Sequence, residues 1–421
     1  MGGVPLNVHP DGFIGTVIAV EGIADATTLL HGPDGCRKNL SSLSSKVFPG
    51  KPSVRNDLST PYFHGMDRVP CTGVLSDDYI SGAQRKVHDA LAFVSEKTGG
   101  LVAVVCTPGA SLIGDDVGKA IGDLGLESRV IDLGPSQISL TCAEGMDLAL
   151  RRIAEFLIQT PAHKVAGTVN VLGLSVITKD WTAVRAEFAE VLGLIGLKVN
   201  CFLGAGCTTE EVRSSAESEF NIVLCPEYCR ETSRYYEERL GIPSVGLGYA
   251  PVGFESMTAL MELVSSRTGR DAGPSMAYIR RFMDRAYGCM RASRISVRGR
   301  TFAVDADPSV AYPLTKWLFE TLSMVPASVA FNGESFAPAE DSLSTFLHQN
   351  GLQACLGAEP PDYLDVMFCN GNTAQLYELP GNCRRGVDVC FPSIQNVDFR
   401  ESPVLGCRGA LYLLDRVMKA V

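Results

Sequence analysis

The chain has 421 residues, 46 % of them hydrophobic and 20 % charged, an ordinary globular composition with material for two or three domains. Its 37 basic against 47 acidic residues give a net charge of -10, with a pI of about 5.2. That balance argues against nucleic acid or an anionic membrane as the main partner, and no apolar run reaches the ~18 residues needed to cross a bilayer.

In chain order, MGGVPLNVHPDGF (1–13) shows neither a basic leader nor an apolar signal stretch, so a cytoplasmic location is expected. The 14 cysteines are then reduced thiols without zinc-ribbon spacing, most of them small buried hydrophobes. LLHGPDGCRKN (29–39) puts Cys36 just after a His-Gly-Pro turn, where Gly32 and Gly35 allow close backbone approach to a bulky group. RVPC ends on Cys71, ahead of a helix start in LSDD. The strand LVAVVC (101–106) ends on Cys106 and opens into TPGASLIGDD, with Asp115 and Asp116 expected in the first turn of a helix. A strand RVIDL (129–133) and an amphipathic helix GMDLALRRIAEFLIQ (145–159) follow.

The alternation continues through TVNVLGLS, LKVNCFLG, NIVLC and IPSVGLG, each leading into a helical segment. EYCRETSRYYEERLG reads as one such helix. RTFAVDADPSVAYPLTKWLFETLS opens a third series that ends in the helix RGALYLLDRVMKAV. The expected fold is α/β, with three doubly wound parallel-sheet (Rossmann-like) modules over residues 1–160, 161–296 and 297–421 around a central cleft. In open parallel sheets ligands sit beyond the carboxyl ends of strands, which singles out Cys36, Cys71 and Cys106. Thiols in such loops suit soft metals, and two per chain from each of two chains would meet the four-ligand need of a [4Fe–4S] cluster.

The ordered stretches LLHGPDGC, CTGVLSDDYISGAQRKVHDAL and VVCTPGASLIGDDV resemble the nitrogenase component 1 family. The likeness continues through LKVNCFLGAGCTTEEVRS, NIVLCPEYCRETSRYYEERLGIPSV and SPVLGCRGALYLLDRV, and so covers essentially the whole chain. The resemblance implies that Cys36 and Cys106 bind an iron–sulfur cluster at a subunit interface, with Cys71 a further candidate. Where the family carries another cysteine, near His9, this sequence has none; Asp11 offers a carboxylate instead. That departure favours a single [4Fe–4S] cluster shared between two subunits, in a homodimer or a heterodimer with a paralogue. The resemblance also implies an ATP-dependent P-loop iron–sulfur reductase as partner, since no G-x-x-x-x-G-K-[ST] motif occurs here. A small-molecule substrate, such as a tetrapyrrole, is expected in the cleft between modules. Arg408, with Arg384 and Arg385, is a candidate for binding substrate carboxylates, and His64 for substrate contact. Cys225 and Cys229 stand where relatives hold a larger metal cluster, while His348 reads as a surface helix residue. Arg37 and Lys38 read as solvated flanking charge. The alternative function is a non-catalytic scaffold for assembly of a metal cofactor.

Overall fold

The computed structural model describes residues 10–47, 61–62, 68–135, 137–158, 163–293, 296–393 and 399–420. Three parallel sheets follow one another along the chain. The first has the order β1-β2-β3, with β1 at Thr27–His31, β2 at Val102–Cys106 and β3 at Val130–Asp132. The second has the order β5-β4-β6-β7, from β4 (Thr168–Leu172), β5 (Lys198–Phe202), β6 (Phe220–Val223) and β7 (Ser244–Gly246). The third has the order β11-β10-β8-β9, from β8 (Thr301–Ala306), β9 (Val325–Phe331), β10 (Leu364–Asn370) and β11 (Cys383–Cys390). The central strands β2, β4 and β10 are buried along their whole length, which is why they read as unbroken apolar runs. One apolar core runs through side chains of all three units, including Leu30, Val105, Val169, Phe188, Val304 and Phe368.

Among the described residues, no helix is long and apolar enough to cross a membrane. The last helix, Gly406–Met418, belongs to the third series by sequence, yet it packs against the second unit's helices Trp181–Leu194, Gly253–Thr268 and Gly273–Ala292. The expected helix at 227–241 is also divided. A 3-10 turn at Pro226–Tyr228 gives way at Cys229 (φ -151°) to the helix Arg230–Leu240.

That break has a physical cause, and it recurs. Carboxylates of one segment, buried at Asp147 and Glu187, satisfy the free N–H groups at the start of another segment's helix, the positive end of its dipole. Asp147, on the first unit's helix Cys142–Leu157, accepts from Glu231 N (2.6 Å), Thr232 N (2.9 Å) and the Thr232 hydroxyl (2.7 Å). Asp25 accepts from Thr209 N at 2.7 Å, and Glu334 from Ala143 N at 3.2 Å. Glu187 accepts from Cys407 N at 2.8 Å and Arg408 N at 3.1 Å. The units are thus joined through helix ends as well as through the shared core.

The helix Gly12–Glu21, unread in the sequence, lies against Cys142–Leu157 with almost no space between the backbones. A Cβ on Gly15 would sit 2.1 Å from the Cys142 carbonyl oxygen, and one on Gly145 would sit 2.2 Å from that of Gly12. Gly15→Val is therefore expected to destabilise the protein by about 3 kcal/mol or more, because two helices must separate to admit it. Gly35→Ala, with nothing within 4 Å of the new atom, is the control. Parallel thermal scans should show the melting point falling for the first variant only.

Candidate functional site

The turn after β1 brings the three singled-out thiols to one end of the first sheet. Leu30 and His31 are the last two residues of β1. Leu30 forms a bridge to Cys71 on the open edge, and His31 pairs with Cys106 of β2. Cys36 lies in the first turn of the helix Asp34–Val47 and is half-buried, so the chain presents it from a helix N-terminus and not from a loop tip. Gly32 is required by packing: a Cβ there would meet the Thr107 side chain at 2.3 Å. Neither Gly32 nor Gly35 adopts a positive φ, so the conformational freedom expected of them goes unused.

Cys71 and Cys106 are buried, and burial pushes both thiols up. Cys106 reaches about 12, with Asp132 and Asp115 adding to the effect. At Cys71 the neighbouring Arg37 guanidinium opposes the shift. Arg37 is not solvated charge: its side chain is 1 % exposed and its Nη2 lies 2.6 Å from Asp34 Oδ1, whereas Lys38 is 68 % exposed, as expected. A buried guanidinium needs hydrogen-bonding partners to offset its lost hydration, and it sets a positive charge beside the thiol-bearing loop.

Beneath that loop lies a network that the sequence did not reveal. Thr72 Oγ1 accepts from Gly32 N (3.1 Å) and donates to His31 Nδ1 (2.9 Å). His31 Nε2 donates to Asp115 Oδ2 (3.0 Å), whose other oxygen accepts from Ala83 N (2.9 Å). This tautomer is the one that satisfies every member of the chain. Burial lowers the His31 pKa against the opposing pull of Asp115, favouring the neutral ring. Asp115 is therefore a buried orienting group and not a first-turn acid. Asp116 is the residue that caps Val117–Asp123, accepting from Lys119 N. The segment after Cys71 closes over the one after Cys106: the Tyr79 hydroxyl lies beside Gly109, and Gln84 bonds both backbone groups of Asp116. Ile80 (91 % exposed) and Leu112 (87 % exposed) remain on this surface, with Leu75 and Tyr79.

The other candidates are dispersed. Asp11 is the N-cap of Gly12–Glu21, its Oδ1 accepting from Ile14 N at 3.0 Å, and its backbone bridges to Thr141. His64 lies outside the described residues. Arg408 is held between Glu190 (3.1 Å) and Glu401 (3.0 Å), so its outer nitrogens already meet protein carboxylates. Arg384 bonds Tyr363 and Arg385 bonds Glu378. Cys229 is a buried thiol directed at the carbonyls of Cys225 and Pro226. Among the described residues, no three His, Cys, Asp or Glu side chains form a group able to hold a metal ion. The thiols of one chain thus fit a cluster only as part of a larger ligand set.

A second locus lies where the second and third units meet. In the second sheet the strand order reverses between β4 and β6, and in the third between β8 and β10; crevices for ligands form at such points. Gly173, just after β4, has φ +78°, and a Cβ there would be 2.3 Å from the Cys225 carbonyl oxygen, so the loops are closely apposed. Between them is a cavity of about 20 Å³, room for about one water, lined by Lys179, Cys225, Tyr228, Asp307, Cys390 and Phe391 among others. Lys179 pairs with Asp388 at 3.0 Å.

Three parallel α/β units, with thiols grouped at one sheet's carboxyl edge and a crevice between the other two, define a class of multi-unit Rossmann-like proteins. Within it, this chain belongs to the nitrogenase component 1 type oxidoreductases, whose family model matches residues 12–421. It is 25 % identical over 337 residues to the B subunit of a light-independent protochlorophyllide reductase from Heliobacterium modesticaldum, covering 76 % of this chain and 63 % of that one. It is 23 % identical over 262 residues to the nitrogenase iron–molybdenum cofactor biosynthesis protein NifE of Methanococcus maripaludis, covering 61 % and 50 %. A nitrogenase molybdenum–iron protein beta chain of Sinorhizobium fredii matches at 23 % over 457 residues, covering 97 % and 82 %. The chain thus spans only half to two thirds of the length of the first two relatives. The solved structure of nitrogenase Cp1 at pH 6.5 superposes with a TM-score of 0.78 at 15 % identity, covering 100 % of this chain and 94 % of that one, a likeness of fold.

Proposed function

We propose that this chain is the substrate-reducing subunit of a two-component, ATP-dependent reductase, and that Cys36 and Cys106 contribute to a [4Fe–4S] cluster completed by a second subunit. The single observation that carries this reading is the grouping of Cys36, Cys71 and Cys106 at the carboxyl end of one sheet, on a face that also exposes Leu75, Ile80 and Leu112. A thiol set too small for a cluster by itself, beside uncovered apolar side chains, suits a site completed by association. A second copy of this chain or a paralogue would serve. A cluster so held would supply single low-potential electrons. The protein's own part is to orient the loops through His31, Thr72 and Asp115, to set the Arg37 charge beside them, and to exclude water. A P-loop iron–sulfur reductase would be the electron donor. The substrate is a small molecule in the crevice between units, with tetrapyrroles the class suggested by the relatives named protochlorophyllide reductase. At about 20 Å³ the cavity is far too small for one, so such a substrate requires the second and third units to part.

The NifE relatives support a second reading, a scaffold for cofactor assembly. Oxygen-free isolation with iron and sulfide analysis separates the two. The reductase reading expects about four irons per pair of chains and substrate turnover with the reductase and ATP. A scaffold would carry further iron and turn nothing over. Iron-free protein would overturn both.

A further inference from the structure

Between Gly273 and Arg300 the sequence holds seven arginines and a single acid, Asp284, in a chain whose net charge is -10. Five of the seven, Arg280, Arg281, Arg285, Arg291 and Arg298, are exposed. The first four lie on the helix Gly273–Ala292, which buries Ser275, Tyr278, Ile279 and Ala286 and packs against Trp181–Leu194, Gly253–Thr268 and Gly406–Met418. They share its outward face over about 16 Å of helix. Elsewhere such arginines are neutralised from within the chain. Arg151 meets Glu155 at 2.8 Å, Arg234 meets Glu231 at 3.0 Å and Arg213 meets Glu210 at 3.5 Å, each three or four residues along its helix. Here Asp284 stands four residues after Arg280 and three after Arg281. Even so, among the described residues no carboxylate lies within ion-pair distance of these five arginines. Arg281 is held by aromatic rings instead, 5.1 Å from the Tyr278 centroid and 5.4 Å from that of Phe282. Its guanidinium is therefore ordered before any acid reaches it.

Gly288 lies on the same face. A mid-helix glycine weakens a helix relative to alanine, and nothing within the chain calls for this one. Its φ is not positive, and a Cβ there would meet nothing within 4 Å. With the exposed Ala277 and Ala292 it keeps the middle of the arginine row low, so that another backbone can come close. We infer that this face docks an acidic helix of a separate protein, with its carboxylates on the arginines and its backbone crossing near Gly288. Charge complementarity selects the occupant, and arginine's planar fork pairs with carboxylates through two bonds at once. The net charge of the chain opposes nucleic acid and anionic membrane at long range, and Asp284 would set a negative charge against a phosphate backbone. The helix packs on the second unit, apart from the thiol-bearing edge of the first sheet. The inference therefore stands independently of the function proposed above.

The probe is a fluorescein-labelled peptide of about 20 residues, long enough to be helical in water, with glutamate at every third or fourth position. Its binding is read by fluorescence anisotropy at near-physiological salt. The unsubstituted protein should bind it, and affinity should fall about tenfold in Arg285→Glu/Arg291→Glu. Arg213→Glu/Arg234→Glu makes the same change in net charge on other helices and should cost less than about twofold. Gly288→Leu should weaken binding by about tenfold or more while raising the melting temperature, a combination that an internal role for the glycine would not give. No binding by the unsubstituted protein, or an equal loss in the charge-matched control, would overturn the inference. So would tighter binding of a DNA duplex of equal charge or of phosphatidylserine vesicles, or self-association abolished by the same arginine substitutions, because each puts a different occupant on this face.

Discussion

Isolated without oxygen, the Cys106→Ala protein is expected to carry less than about a tenth of the iron and sulfide of the unsubstituted chain, and to lose its colour. Cys36→Ala should behave in the same way. Loss of a thiolate removes one member of a ligand set that one chain by itself already leaves short of the four a cluster needs. The substitution should leave the fold intact: Cys106 ends β2 in register with His31, and its backbone pairing does not depend on the thiol. Cys142→Ala is the matched control, since Cys142 is buried at the N-terminus of the helix Cys142–Leu157, where Glu334 and Asp307 lie nearby. It should keep its iron. Cys71→Ala decides whether the buried thiol beside Arg37 is a third ligand: a loss matching that of Cys106→Ala assigns it, and retained iron makes it a packed neighbour. Equal iron in all four proteins would remove the basis of the cluster assignment.

Asp147→Ala should be among the most destabilising single changes outside that edge. Removing this carboxylate leaves the N–H groups of Glu231 and Thr232 without their acceptor, while the Thr232 hydroxyl keeps the Asp147 carbonyl oxygen at 3.1 Å. At about 1–3 kcal/mol for each orphaned donor, partly relieved by water entry, the expected cost is about 3–5 kcal/mol. In a protein of this size that corresponds to a melting temperature about 3–6 °C lower. Burial raises the Asp147 pKa, while the three donors pull it back, so the bonds do more here than the charge. Asp147→Asn, which keeps one acceptor oxygen, should recover about half of the loss. Because the bond ties the first unit to the second, hydrogen exchange in Arg230–Leu240 should accelerate before the rest of the second unit responds. Unchanged exchange in that helix would show that core packing alone holds the units together.

Much of this architecture was legible in local patterns. β2, β4 and β6 appear as short apolar runs ending near a cysteine or glycine, because strands buried on both faces have no reason to alternate. The motif HGPDGC and the run ending on Cys106 identified the thiol-bearing edge, and the structure brings their turns together. Two local signals went unread. Thr141 and Glu144 form a reciprocal capping box that starts their helix three residues earlier than the apolar period suggests. GFIG (12–15) has the small-residue spacing of a close helix contact, which only its partner Gly145 makes meaningful.

What sequence alone determined is the repeated strand–turn–helix grammar and the residues at strand ends, since both follow from burial period and turn chemistry within about a dozen residues. Tertiary structure decided the charges. Whether Asp115 caps a helix or orients His31, and whether Arg37 is solvated or buried, depend on what packs against each from far along the chain. Desolvation and Coulomb energy are set by distance in space, and residues 227 and 309 become neighbours only once the second and third units close on each other.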